Sequence, residues 1–264
     1  MPGSAYELAG ARLCAARQQH VPLERLPAEL EPRNEADAYA IQDALHPLLA
    51  NLGWGALVGY KIGCTTRVMQ QYLDIPNPCA GAILASTVQH QHGRFGHSDF
   101  IRVGVECEIA VLLGDDLGAG DASIDHVAAA RAIGACMAAI EIVDDRYVDY
   151  RTLGAPTLIA DDFFGAGCVL GPAMPGFDPA LLAATHASMR IDDREVGTGV
   201  GTDILGEPLE ALVWLANNLA QRGQRLHAGE FVLLGSLVQT QWVRVGQSVV
   251  IHNDRLGTAR ADFL

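Results

Sequence analysis

Lysine is almost missing from this chain: seventeen arginines accompany a single lysine, Lys61, among 264 residues. Cations are scarce altogether, 18 Lys plus Arg against 31 Asp plus Glu, for a formal charge of −13. Such a balance lacks the clustered Lys and Arg that a nucleic-acid partner needs, although one local cation can still meet a small anion. The six cysteines form no C-x-x-C pair, so neither a disulfide framework nor a zinc ribbon is expected, and a reducing, cytoplasmic setting is. No run reaches the ~18 apolar residues a spanning helix requires. "MPGSAYELAGARLCAARQQH" has no basic segment leading into a long apolar stretch, so a soluble protein without a signal peptide or membrane partner is expected. A G-x-S-x-G elbow and a phosphate-binding G-x-x-x-x-G-K are absent, and "GTGVGT" lacks the spacing of a dinucleotide fingerprint.

What is present is enough apolar residue for a large core, 50% of the chain with 19% charged. The first sixty residues read as helical: "SAYELAGARLCAARQQ" has helical apolar spacing, and "NEADAYAIQDALHPLLANLG" opens on an Asn34 cap and stops at Gly53. "ALVGYKIG" reads as a strand, and "TTRVMQQYLD" as a short helix capped by Thr65 or Thr66. Beyond about residue 82 strand-like runs follow one another. Only two helices interrupt them, one starting at Ser123 and one with Pro208 in its first turn. The expectation is an α+β protein: a mainly antiparallel β-rich body over 82–264 and an α-rich region over 1–81 that carries Lys61.

The strand "VGVECEIAVLL", residues 103–113, is the most informative segment. At period 2, Val103, Val105, Cys107, Ile109, Val111 and Leu113 share one apolar face, while Glu106 and Glu108 point together to the other. A solvent-facing pair is one reading. The neighbours on that face are Gly, Ala and Leu, however, and the strand itself carries no cation. A second apolar strand, "CMAAIEIVDD", carries Glu141 amid Ala and Ile, where an unpaired charge is expensive. Three such carboxylates suit a divalent cation, and oxygen donors favour Mg²⁺ or Mn²⁺ over Zn²⁺. His90, His92 and His97 are flanked by Gln, Gly and Ser and read as a polar hairpin rather than a metal site. Lys61 sits where every other cationic position uses Arg. A compact ammonium differs from a planar guanidinium in bulk and in its capacity to give up a proton, so the choice points to function.

"GYKIGCTTRVMQQYLDI", "GVECEIAV", "AAIEIVDDRYVDY", "LIADD", "LGEPLEALVWLANNLAQRGQRLHAGEFVLLGS" and "VRVGQSVV", in this order, resemble the 2-oxopent-4-enoate hydratase and 2-oxo acid decarboxylase branch of the fumarylacetoacetate hydrolase superfamily. The resemblance runs from about residue 35 to the end. It implies a mixed β-roll with a small helical N-terminal domain and Mg²⁺ or Mn²⁺ held by Glu106, Glu108 and Glu141. It also implies Lys61 facing a small 2-oxo acid, Ser236 contacting that substrate, and assembly as a homo-oligomer or with a related pathway enzyme. The implied activity is hydration of an unsaturated 2-oxo or 2-hydroxydienoic acid in aromatic catabolism. Decarboxylation of a 4-oxalocrotonate-type acid, C–C hydrolysis of an acylpyruvate and a non-catalytic partner role are the alternatives.

Two segments depart from the branch. Pro78-Cys79-Ala80-Gly81 stands where the hydratases carry an acid before glycine. Ala160-Asp161-Asp162-Phe163-Phe164 stands where they carry an amide, which makes Asp162 a candidate general base or, equally, a cap or turn residue. Phe163 and Phe164 suit a nonpolar substrate tail, or the core. Arg146 is expected to pair with Asp144 or Asp145.

Overall fold

Ser4 and Asn34 start the two helices that open the chain. The Ser4 hydroxyl accepts from the Glu7 amide and Glu7 Oε2 accepts from the Ser4 amide, a capping box at the head of α1 (Ala5–Gln19). Asn34 Oδ1 accepts from the Asp37 amide ahead of α2 (Glu35–Leu49). The computed structural model describes residues 3–118 and 123–264. Among them no helix is long and apolar enough to cross a membrane.

The strands are β1 (Leu57–Gly63), β2 (Cys79–Leu84), β3 (Val88–His90), β4 (His92–Phe95), β5 (Val103–Leu113), β6 (Ile133–Asp144) and β7 (Gly165–Leu170). They continue with β8 (Met174–Pro175), β9 (His186–Ile191), β10 (Arg194–Val200), β11 (Phe231–Trp242), β12 (Ser248–Asn253) and β13 (Gly257–Phe263). Between them lie α3 (Arg67–Tyr72), capped by Thr66, α4 (His126–Ala132), α5 (Ala155–Ala160) and α6 (Pro208–Gln221). The cap of α4 is Asp125 rather than Ser123, since its side chain accepts from the Ala128 amide.

Two mixed sheets result, giving the expected α+β class. The larger runs β2-β1-β11-β5-β6-β7-β3, with β8 also paired to β6, and the smaller runs β10-β9-β12-β13-β4. Most pairs are antiparallel, but β1 lies parallel to β11, β3 to β7 and β4 to β13. The strand carrying Lys61 is therefore not confined to a helical appendage. It is inserted between β2 and β11 in the main sheet.

The two faces of the large sheet differ as the alternation in β5 predicts. Val103, Val105, Cys107, Ile109 and Val111 are buried in the main core. On the opposite face a smaller apolar cluster, including Ala110, Met137, Ala139, Phe231 and Leu233, shares its surface with the acidic residues. All six cysteines are buried free thiols.

Candidate active site

Three strands of the large sheet, β1, β5 and β6, deliver the charged groups, and β11 lies between β1 and β5. Glu106 of β5 stands directly opposite Glu141 of β6, and Glu108 stands opposite Ser236 of β11. Lys61 of β1 is level with Leu233 on β11. Because these registers are those of one pleated face, the side chains emerge on the same side. One carboxylate oxygen from each of Glu106, Glu108 and Glu141 lies within 4.8 Å of the others. Lys61 Nζ is 3.0 Å from Glu141 Oε1, and these two residues and Glu108 are only 1–2% exposed. The lysine thus supplies the cation that is missing from the local sequence around Glu141.

The position of the Glu108 carboxylate is set by an irregularity in the ladder. The β11–β5 register shifts between Leu233 and Ser236, and Gly235 adopts φ +132°, which only glycine takes readily. The bulge turns the Gly235 amide to Glu108 Oε2 at 2.6 Å. A Cβ at Gly235 would lie 2.5 Å from Thr65 Oγ1. Gly235→Ala is expected to cost roughly 2 kcal/mol or more through this backbone strain, read as a lower midpoint in denaturant unfolding.

One donor does not satisfy these anions. Thr240 Oγ1 donates to Glu106 Oε1, but Glu108 Oε1 and Glu141 Oε2 are buried without any hydrogen-bond partner. Burial, reinforced by the neighbouring Glu141 and Glu106 charges, pushes Glu108 well above the ordinary carboxylate range. Burial also raises Glu141, although Lys61 pulls it back. Burial works to lower Lys61, yet Glu141 and Glu106 outweigh it and hold the ammonium above its usual value. The arrangement has more negative charge than its one cation can balance, and its oxygen donors suit a hard divalent ion.

A cavity of about 630 Å³ opens onto this cluster. Lys61, Glu106 and Ser236 line it. The Ser236 hydroxyl donates to the Val238 carbonyl at 2.7 Å, so contact with a ligand requires it to exchange that bond. Glu108 and Glu141 do not line it and are almost fully buried.

Asp162 is placed differently from the expectation for a proton-transfer residue. Its carboxylate does not line the cavity; its neighbour Phe163 does, with Lys61 Nζ 5.2 Å from the ring centroid. Asp162 Oδ1 is 2.8 Å from His46 Nε2 and accepts from the Ala82 amide at 3.0 Å, while Oδ2 accepts from Arg17 at 3.0 Å. Burial favours the neutral acid, but His46 and Arg17 hold Asp162 below the usual carboxylate range. A carboxylate so stabilised is a weak base. What it does is anchor a strained turn: Asp162, Phe163 and Phe164 have φ of 54°, 46° and 66°, three consecutive left-handed residues without a glycine. Arg146 belongs to the same network. It donates to Asp161 Oδ2 and to the Asp161 and Gly165 carbonyls, so its partner is Asp161 rather than Asp144 or Asp145, both of which bond to Arg102.

Arg17 and His46 do not stand out in the sequence because each sits within an ordinary helix. A signal is nonetheless present. Arg17 is four residues after buried Leu13, and His46 four after buried Gln42, so both extend the inward stripe of their helices. An arginine or histidine on such a stripe calls for a buried acidic partner. His92 pairs with Asp262 and His97 with the Val243 carbonyl, but the segment is not the expected hairpin: β3 pairs with β7 in the larger sheet and β4 with β13 in the smaller one.

Residues 85–264 match the family model described as fumarylacetoacetate (FAA) hydrolase C-terminal. The chain is 34% identical over 250 residues to a 2-keto-4-pentenoate hydratase of Paraburkholderia phymatum, covering 94% of this chain and 92% of that protein. It is 31% identical over 202 residues to a 4-oxalocrotonate decarboxylase of a Pseudomonas species, covering 76% of each. Among solved structures, the 4-oxalocrotonate decarboxylase of Pseudomonas putida G7, complexed with magnesium and adipate, superposes with a TM-score of 0.90. That match covers 98% of this chain and 97% of the other at 22% identity, a likeness of fold.

Proposed function

The chain belongs to the fumarylacetoacetate hydrolase family, and on that premise we propose that it is a divalent-metal-dependent lyase adding water to a small unsaturated 2-oxo acid. The substrate class is a 2-hydroxydienoate of the kind released in aromatic-ring breakdown. The observation that carries this reading is the convergence of Glu106, Glu108 and Glu141 at the inner end of the cavity, with Glu108 Oε1 and Glu141 Oε2 buried and unpartnered. Two orphaned anionic oxygens are unfavourable inside a protein, and an oxygen-only donor set fits Mg²⁺ or Mn²⁺. These three residues would hold the ion, whose contribution is to lower the cost of negative charge on the substrate's 2-oxo oxygen.

The chain's own groups divide the remaining work. Hydration of a 2-hydroxydienoate moves the enol proton from oxygen to C5, then adds hydroxide at C4 and a proton at C3. Lys61, kept protonated by Glu141 and Glu106, is the cavity-lining cation beside these atoms. It orients the acid's charged end and offsets the negative charge that builds there. Ser236 contacts the same end once its hydroxyl leaves the Val238 carbonyl. Asp162 acts at one remove, fixing the turn whose Phe163 ring packs against the lysine. The resemblance to the hydratases at 33–34% identity over most of the chain supports water addition.

Decarboxylation is a second reading, favoured by one observation. Cys79, where an acid would serve proton transfer, is wholly buried, and burial followed by the adjoining Cys64 pushes its thiol well above the usual range. No acid is available there. Purified protein with Mg²⁺ and 2-hydroxypenta-2,4-dienoate should erase the dienol ultraviolet absorbance, and a chelator should stop the reaction. Persistence of the absorbance refutes hydration, and CO₂ release from a 2-oxo-enedioate establishes the second reading instead.

A further inference from the structure

Among the described residues that line the cavity, Lys61 is the only cation, and it is already paired with Glu141. The other charged lining groups, Glu106 and Asp203, are acids. Away from them Thr65, Thr66, Ser236, Gln239 and Thr240 are neutral polar groups, and the rest of the wall is apolar and aromatic. Val68, Met69 and Tyr72 of α3 face it from one side, and Tyr150, Phe164 and Trp242 from the other. Phe164 is packed edge-on against Tyr150, with centroids 5.3 Å apart, and against Phe163 at 5.4 Å, so that side is a braced aromatic surface. The nearby arginines are directed elsewhere. Arg67 lines a separate groove with Gln70, Gln71 and Asp74. Arg102 lies 4.1 Å from the Trp242 ring centroid, is paired with Asp145 and does not line the cavity.

Resting on the 2-oxo acid reading above, the geometry points to a substrate whose tail beyond the dienoate is neutral and apolar, an alkyl or aryl substituent, with Met69, Tyr72, Phe164 and Trp242 setting that preference. About 630 Å³ is in the range that encloses drug-sized ligands, well beyond a bare five-carbon acid. A second carboxylate on the tail would leave water to face aromatic rings and the Glu106 and Asp203 charges, with no free cation to receive it. An apolar tail loses nothing polar and gains about fourfold in affinity for each methylene buried. The specificity resides in the absence of an arginine from the outer wall as much as in the rings present there.

Saturated 2-oxo acids, which cannot be hydrated, isolate binding from chemistry. Calorimetric titration of the Mg²⁺-loaded protein with 2-oxopentanoate, 2-oxohexanoate, 2-oxooctanoate and 2-oxoadipate separates length from charge. Affinity is expected to rise about fourfold per methylene along the first three, with 2-oxoadipate at least about tenfold weaker than 2-oxohexanoate. If 2-oxopentanoate binds but the longer acids do not improve on it, or 2-oxoadipate matches 2-oxohexanoate, the tail assignment is overturned while the parent reading stands. If no 2-oxo acid binds, the parent reading itself fails and takes the tail with it. Met69→Arg places a cation on α3, which buries none of its residues and so tolerates the change. It should shift the diacid-to-monoacid affinity ratio about tenfold toward 2-oxoadipate; an unchanged ratio in folded protein removes Met69 from the tail subsite.

Discussion

Glu108→Gln should abolish metal-dependent turnover while making the metal-free protein more stable at neutral pH. The two effects have one cause. Glu108 is buried, receives a single amide hydrogen bond from Gly235, and has one oxygen with no partner. Its pKa lies well above the ordinary range because burial and then Glu141 and Glu106 oppose its charge. A carboxyl raised in the folded state binds its proton more tightly folded than unfolded. Stability is therefore fullest below the unfolded value near 4.3 and falls as pH rises above it. Glu141 adds to the same trend, its carboxyl raised to about 7. The metal-free protein should lose on the order of 3 kcal/mol between about pH 4.5 and 7.5 from such shifts, and Glu108→Gln should flatten that loss. Saturating Mg²⁺ or Mn²⁺ should restore stability by about 3 kcal/mol at a hundredfold excess over Kd. That corresponds to a thermal midpoint roughly 5–10 °C higher. The rise should be greater near pH 8 than near pH 5.5, where protons compete for the same oxygens. Thermal melts of both proteins across pH, with and without metal, measure all of this. A destabilised variant whose midpoint still responds to metal would contradict it.

Lys61→Arg should leave a folded protein with turnover reduced by about 10²-fold, the cost of misplacing a positioned group by about 1 Å. The charge that balances Glu141 and Glu106 survives in this variant, so the buried pair is not abandoned. What is lost is the compact ammonium that bonds Glu141 and faces the cavity at once. Lys61→Met separates the two roles. It leaves the carboxylates without their counter-charge and should destabilise the fold by about 3–5 kcal/mol, as breaking a buried pair does. Steady-state rates together with denaturant midpoints distinguish the cases. Wild-type turnover in Lys61→Arg would remove Lys61 from the chemistry.

Much of the site is legible in the amino-acid sequence, because its parts obey local periodicities. The alternation in "VGVECEIAVLL" is enough to set Glu106 and Glu108 on one face, and the Ala and Ile flanking Glu141 mark it as a buried anion. The single lysine among seventeen arginines marks Lys61. Asp162 shows the limit of such reading: its residue type and motif position suit proton transfer, but the direction of its side chain depends on Arg17 and His46, more than a hundred residues away in the chain.

By itself the sequence determined which strands alternate, which residues share a face, that Asn34 and one of Thr65 and Thr66 begin helices, and that three carboxylates lacked partners within their own strands. Each of these depends on groups a few residues apart, whose spacing the backbone imposes directly. Only the tertiary structure decided that β1 enters the main sheet parallel to β11, so that Lys61 reaches Glu141. It also decided that Glu106 faces Glu141 across a register, and that α1 and α2 clamp the Asp162 turn. Those outcomes come from non-local pairing, in which distant strands and helices choose neighbours by burying apolar faces against one another. No spacing within a single segment records that choice.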